Sequence, residues 1–139
     1  MTHPGSMPLR CIIVDDNRAF LRTVRDLLEG EGIRVVGTVS TGAQAYRICR
    51  DLRPDVALID IDLGEETGFE VVRRLGGLGQ TEQPRMILIS AYAAEDFEDM
   101  LADAPAASFI AKAGLSGAAI RGVLTRPGGP AAPPGAPSA

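Results

Sequence analysis

The chain has 139 residues, of which 45% are apolar and 23% charged, and its formal net charge is −4. That length can bury a single core without disulfides or a structural metal. The acidic balance disfavours direct nucleic-acid binding, which draws on a basic face. No apolar run reaches the length of a membrane span and no signal-peptide core follows the N-terminus, so a cytoplasmic protein with no membrane partner is expected. Cys11 and Cys49 lack the CxxC spacing of a metal or redox site and read as reduced core residues. His3 is the only histidine, which argues against a His-based metal site and against Ser/His or Cys/His catalysis.

In chain order, residues 1–8 read as a flexible leader, with Met7 a candidate natural start. Leu9–Val14 is a short apolar run, predicted to be a buried strand, that ends abruptly in Asp15-Asp16-Asn17. Phe20, Leu21, Val24, Leu27 and Leu28 then recur at helical spacing until Gly30 and Gly32. Ile33–Thr38 is strand-like. Thr41 and Gln44 have capping-box spacing and open a helix whose inward face is Ala45, Ile48, Cys49 and Leu52, stopped by Pro54. Asp55–Ile59 is a third buried strand, running into Asp60 and Asp62. A Gly/Glu loop from Gly64 to Gly68 precedes a helix with Phe69, Val72 and Leu75 inward. Met86–Ile89 is the fourth strand and ends at Ser90-Ala91. A helix follows around Phe97, Met100 and Leu101. Ala107–Ala111 is a weak fifth strand ending at Lys112, and a short helix spans Ser116 to Leu124. The Pro/Gly/Ala-rich tail, residues 125–139, is too poor in large apolar groups to pack.

Five near-continuous apolar strands alternating with helices indicate an α/β fold, a parallel sheet covered on both faces, over residues 9–124. Ligands in such folds bind beyond the carboxyl ends of the strands. Asp15, Asp16, Asp60, Ser90 and Lys112 each follow or end a strand, so they are expected to converge on one sheet edge. Crowded carboxylates repel one another unless a cation lies among them. Mg²⁺ suits such a set, because it takes hard oxygen ligands and keeps positions open for water and phosphate. Lys112 offers a point charge, Ser90 a hydroxyl, and Asp60 a carboxylate nucleophile, which are the parts of a phosphoryl-transfer site.

The ordered spacing of these residues resembles the response-regulator receiver domain of two-component signalling. Asp60 is 44 positions beyond Asp16, Ser90 is 30 beyond Asp60 and Lys112 is 52 beyond it. Gly68 comes eight after Asp60, and the aromatic Phe109 three before Lys112. The resemblance implies a flavodoxin-like doubly wound sheet of order 2-1-3-4-5. It implies that Asp60 is the phosphoacceptor and takes its phosphoryl group from a sensor histidine kinase or a phosphotransfer protein. Mg²⁺ would be held by the side chains of Asp16 and Asp60 and the backbone carbonyl of Asp62, with Asp15 acting mainly through water. Ser90 and Lys112 would hold the phosphoryl oxygens, and Phe109 would turn inward as a switch, reshaping the face of the fourth helix, fifth strand and fifth helix. Output would pass to a downstream protein target or through a homodimer. The Lys112–Ser116 stretch is similar to receivers that precede a DNA-binding domain.

This sequence departs from many receivers in having Gly64 and Ala113 where proline is common; before Ala113 a cis bond would be costly. Asp62 and Tyr92 stand two positions after Asp60 and Ser90 and are expected to tune the phosphate lifetime. Simpler readings exist: Asp15-Asp16-Asn17 as a helix cap cluster, Ser90 as a cap, Lys112 as a surface lysine, Phe109 as core. Two rival functions also stand. Asp60-Ile61-Asp62 resembles the nucleophile motif of haloacid-dehalogenase-like phosphatases, although those place their acidic pair after the lysine. The other rival is a receiver-like interaction module that is not phosphorylated.

Overall fold

The computed structural model describes residues 8–125. Five parallel strands form one sheet: β1 (Arg10–Val14), β2 (Arg34–Val39), β3 (Val56–Asp60), β4 (Arg85–Ser90) and β5 (Ala107–Ala111), in the order β2-β1-β3-β4-β5. Between them run α1 (Arg18–Gly30), α2 (Gly42–Leu52), α3 (Gly68–Leu75), α4 (Glu98–Ala102) and α5 (Gly117–Leu124). A 3-10 turn, Ala94–Phe97, leads into α4. The expected doubly wound order is therefore present. The expected leader and tail lie outside the described residues except at their inner ends. There Thr125 differs from its place in the expected tail: its N–H donates to Arg121 O at 3.0 Å and caps α5. No helix among the described residues is long and apolar enough to cross a membrane.

The sheet is apolar on both faces because helices cover both. Ile12, Val14, Ala57, Ile59 and Leu88 pack beneath α2 and α3. Their alternating neighbours Cys11, Ile13, Leu58, Ile87 and Ile89 pack against Val24 and Leu28 of α1 and Ile120 and Val123 of α5. This period of two, buried on both sides, is why the strands read as unbroken apolar runs. Both cysteines are free and buried. Loss of solvent pushes the Cys11 thiol up to about 12 and that of Cys49 to about 11, so neither is a ready thiolate.

Three helix faces differ from the periodicity reading. Leu27 is 40% exposed, because Val24 and Leu28 take the centre of the α1 stripe and leave it at the margin. Leu52 is exposed at the last residue of α2, just before Arg53 turns into a left-handed cap with φ 49°. Met100 is exposed because α4 has only five residues; Ala104-Pro105 follows, and a residue before proline avoids the helical region.

Caps set the helix starts. Asn17 Oδ1 accepts from Phe20 N at 3.0 Å, and Thr41 Oγ1 from Gln44 N at 3.1 Å. The Gln44 side chain does not close a box on Thr41; its Oε1 accepts from Ser40 N, one residue earlier. The reciprocal box belongs to α3, where Thr67 Oγ1 accepts from Glu70 N and Glu70 Oε1 from Thr67 N.

The loop from Asp60 to Gly68 folds back on itself. Asp62 and Thr67 pair as an antiparallel bridge, and Gly68 N donates to Ile61 O at 2.8 Å. A Cβ at Gly68 would lie 2.9 Å from Ile61 Cα and closer still to the Asp60 carbonyl oxygen, both rigid backbone. Gly68→Ala is therefore expected to lower stability by about 1–3 kcal/mol in urea unfolding. In contrast, Gly122→Ala in the open α5 surface, where a Cβ meets nothing, should be neutral or stabilising by up to about 1 kcal/mol.

Candidate functional site

Parallel pairing brings the carboxyl ends of β1, β3, β4 and β5 to one edge. Val14 is in register with Ile59, so Asp15 and Asp60 leave adjacent strands side by side. Asp60 is in register with Ile89, and Ser90 with Ala111, which puts the serine and Lys112 on the same edge. One carboxylate oxygen from each of Asp15, Asp16 and Asp60 lies within 4.8 Å of the others. Asp15 is fully buried and Asp60 is 6% exposed, whereas Asp16 faces solvent.

Lys112 closes this cluster. Its Nζ donates to Asp15 Oδ2 at 2.8 Å and to Asp60 Oδ2 at 3.3 Å. It also lies 4.0 Å from the centroid of the Phe20 ring, a cation–π seat. The remaining oxygens are occupied by backbone: Asp15 Oδ1 accepts from Asn17 N at 2.8 Å, and Asp60 Oδ1 from Asp62 N at 3.1 Å. Burial pushes the Asp60 carboxyl up to about 6, and the Asp15 charge adds to the rise; the Asp62 N–H and the Lys112 ammonium act against it. Burial works against the Lys112 ammonium, but hydrogen bonds and charge from Asp15 and Asp60 prevail and hold its pKa above the ordinary lysine value.

Ser90 is buried, and its Oγ accepts from Tyr92 N at 3.0 Å, a strand-end turn rather than a helix cap. Because that bond uses a lone pair, the hydroxyl proton is still available to donate. The Tyr92 ring is 67% exposed. The Asp62 carboxylate stays out of the acidic cluster: it is exposed, and its Oδ1 accepts from Gly64 N at 3.2 Å, where Gly64 turns with φ +82°. Phe109 lies outside the cluster as well, half-buried on β5, its ring 6.3 Å from that of Phe97. The Lys112–Ala113 bond is trans, as are all peptide bonds among the described residues.

Phe20 is the site residue that periodicity did not single out, since its spacing marks it only as core. In the fold Asn17 caps Phe20 N and fixes the first turn of α1, and with it the ring beneath Lys112.

The donor set is all oxygen, from carboxylates on two strand ends, and carries two more negative charges than its one lysine offsets. That composition fits a hard divalent cation such as Mg²⁺.

Residues 11–119 match the family described as response regulator receiver domain. The chain is 31% identical over 106 residues to the polar-differentiation response regulator DivK of Brucella anthropi, a match covering 76% of this chain and 85% of DivK. It is 39% identical over 92 residues to a protein-glutamate methylesterase/protein-glutamine glutaminase of Halobacterium salinarum, covering 65% of this chain but only 25% of that protein. A CheY-like response regulator receiver domain from Methylobacillus flagellatus shares the fold with a TM-score of 0.71 at 21% identity, over 85% of this chain and 97% of that one.

A carboxyl whose pKa rises from 3.8 to about 6 on folding binds its proton more tightly in the native state. Its contribution to stability is thus complete below pH ~4 and is lost as pH climbs through about 6. In a chelator, Asp60→Asn should therefore gain on the parent by about 1–3 kcal/mol between pH 4 and 6.5 in denaturant titrations. Parallel curves for the two proteins would show that Asp60 titrates without strain.

Proposed function

The chain belongs to the response-regulator receiver family, and on that premise we propose that it is a phosphorylatable receiver with Asp60 as acceptor. The observation that carries the reading is Lys112, drawn from the far end of the sheet to bridge Asp15 and Asp60. A lysine held at 3.3 Å from the acceptor carboxylate is placed to meet an oxygen of a phosphoryl group arriving there. In the reaction, a carboxylate oxygen of Asp60 attacks the phosphorus of a phosphohistidine on a sensor histidine kinase or a phosphotransfer protein. The O–P bond forms, the N–P bond breaks, and the imidazole keeps the electron pair. The Ser90 hydroxyl donates to a second phosphoryl oxygen. Mg²⁺, held by the Asp16 and Asp60 side chains and the Asp62 carbonyl with Asp15 behind a water, would neutralise phosphoryl charge.

The new charge would pull Ser90 and Lys112 toward the phosphate and let Phe109 turn inward. That movement would bias a two-state face formed by α4, β5 and α5 toward a downstream protein target or a homodimer. On this reading the domain works in the cytoplasm, without membrane or direct nucleic-acid contact, and its net charge of −4 supports the latter. An unphosphorylated interaction module is the second reading, favoured only by the departures at Gly64 and Ala113. A phosphatase is not, because family membership and the order of the acidic residues both point elsewhere.

Intact-mass measurement with acetyl phosphate or a kinase should add one phosphoryl group to the parent with Mg²⁺. Asp60→Asn, or the parent in chelator, should gain none. An unlabelled parent would favour the second reading. Asp62→Asn and Tyr92→Ala should each change the rate at which the label is lost; rates equal to the parent's would remove both residues from the control of phosphate lifetime.

A further inference from the structure

A groove of about 700 Å³ opens between α3 and the α4–β5 connection, on the opposite side of α3 from α2. Phe69 and Val72 line one wall, and Met100, Ala104 and Ala106 the other. It exists because α4 stops after five residues, at Ala102, and cannot cover the flank of α3. Met100, a large apolar side chain, is left 55% exposed at its lip.

The charges around it are strongly one-sided. Glu95, Asp96, Glu98, Asp99 and Asp103 are all exposed, and no lysine or arginine occurs between Arg85 and Lys112. Like charges three and four apart on a helical turn repel, as do Glu95 with Asp99 and Asp96 with Asp99. Asp103 is worse placed still: it is the C-cap of α4, where the free carbonyls already present negative potential. A cation arriving there would meet both. On the facing wall Arg73 lines the same groove, and neither Arg73 nor Asp103 has an ion-pair partner among the described residues.

We propose that this groove docks a segment of a downstream protein that inserts an apolar anchor between α3 and α4, lays basic residues along α4 and turns a carboxylate toward Arg73. The apolar lining and the unpaired rim charges of opposite sign select that chemistry and its orientation. The groove also reaches the site. Phe69 in its wall is 6.5 Å from Phe97, which is 6.3 Å from Phe109, and Thr67 at its edge precedes Gly68, packed on the Asp60 backbone. That the partner lies downstream rests on the phosphoacceptor reading; the docking chemistry stands on the groove itself.

The test is an NMR titration of the full, unphosphorylated chain with three synthetic peptides: a Leu/Lys amphipathic helix, a Leu/Glu counterpart and a Ser/Lys control. The Leu/Lys peptide should shift Phe69, Val72, Met100 and Ala104, and bind at least about tenfold more tightly than either other peptide. Asp99→Lys with Asp103→Lys should weaken it about tenfold, and Met100→Glu should do the same, while circular dichroism reports the fold intact. Shifts centred on another surface, equal binding of Leu/Glu or Ser/Lys, or indifference to the charge reversals would overturn the proposal. So would groove shifts that depend on protein concentration alone, which assign the groove to a second copy. Broadening of groove signals by a spin label on Ser138→Cys would assign it to the chain's own tail and overturn it equally. The titration involves no phosphodonor, so its failure is distinct from a failure to label Asp60.

Discussion

Two carboxylates and one ammonium, packed against an aromatic ring at a sheet edge, set the terms for everything around them. Asp15 is completely buried, and a buried charge without a partner costs several kcal/mol. Lys112 is the partner, and its ammonium is seated over the Phe20 ring. Removing the lysine would strand two acids; removing either acid would leave a looser lysine. The ends of β1, β3 and β5 are thereby tied by one lysine, 97 positions from Asp15 in the sequence.

That interaction neutralises only part of the acidic charge. Asp16, the third carboxylate of the cluster, faces solvent, and Asp60 holds its proton more tightly than an ordinary aspartate. The donors of this cluster are held in place by other contacts of the fold rather than left free to move. The backbone contributes as much as the side chains do. The Asn17 and Asp62 amides each hold one carboxylate oxygen, and Gly68 lets the loop behind Asp60 close tightly enough to keep its amide there.

Strength at this edge contrasts with the incompleteness of the flank around α4. Five acidic residues, a helix cut short by proline and an exposed methionine leave that side of the molecule poorly self-satisfied. The Phe69–Phe97–Phe109 chain runs from α3 across that flank into β5, and one end of α3 and one end of β5 meet the acidic site. The groove beside α3 and the strand that ends at Lys112 are thereby joined through packed rings.

Much of this was legible in the residue order. Apolar runs ending in Asp15, Asp60, Ser90 and Lys112 were enough to predict the strands, their parallel pairing and the edge where those side chains meet, because a strand buried on both faces can end only where its sequence turns polar. Caps at Asn17 and Thr41 were visible too, since short polar side chains mark a helix start. What one dimension could not show was which way a side chain on the margin turns. Leu27, Leu52 and Met100 fit a helical period yet face solvent, because the width of the sheet and the neighbouring helices decide how much of a stripe is covered. Asp62 stands two positions after Asp60, and only the fold shows its carboxylate accepting from the Gly64 amide in a loop turn. Phe20 has the spacing of core and becomes the seat of Lys112. Sequence by itself determined where the charges enter the fold; only tertiary packing decided which of them touch, since contact depends on register between strands and on the shape of what covers them.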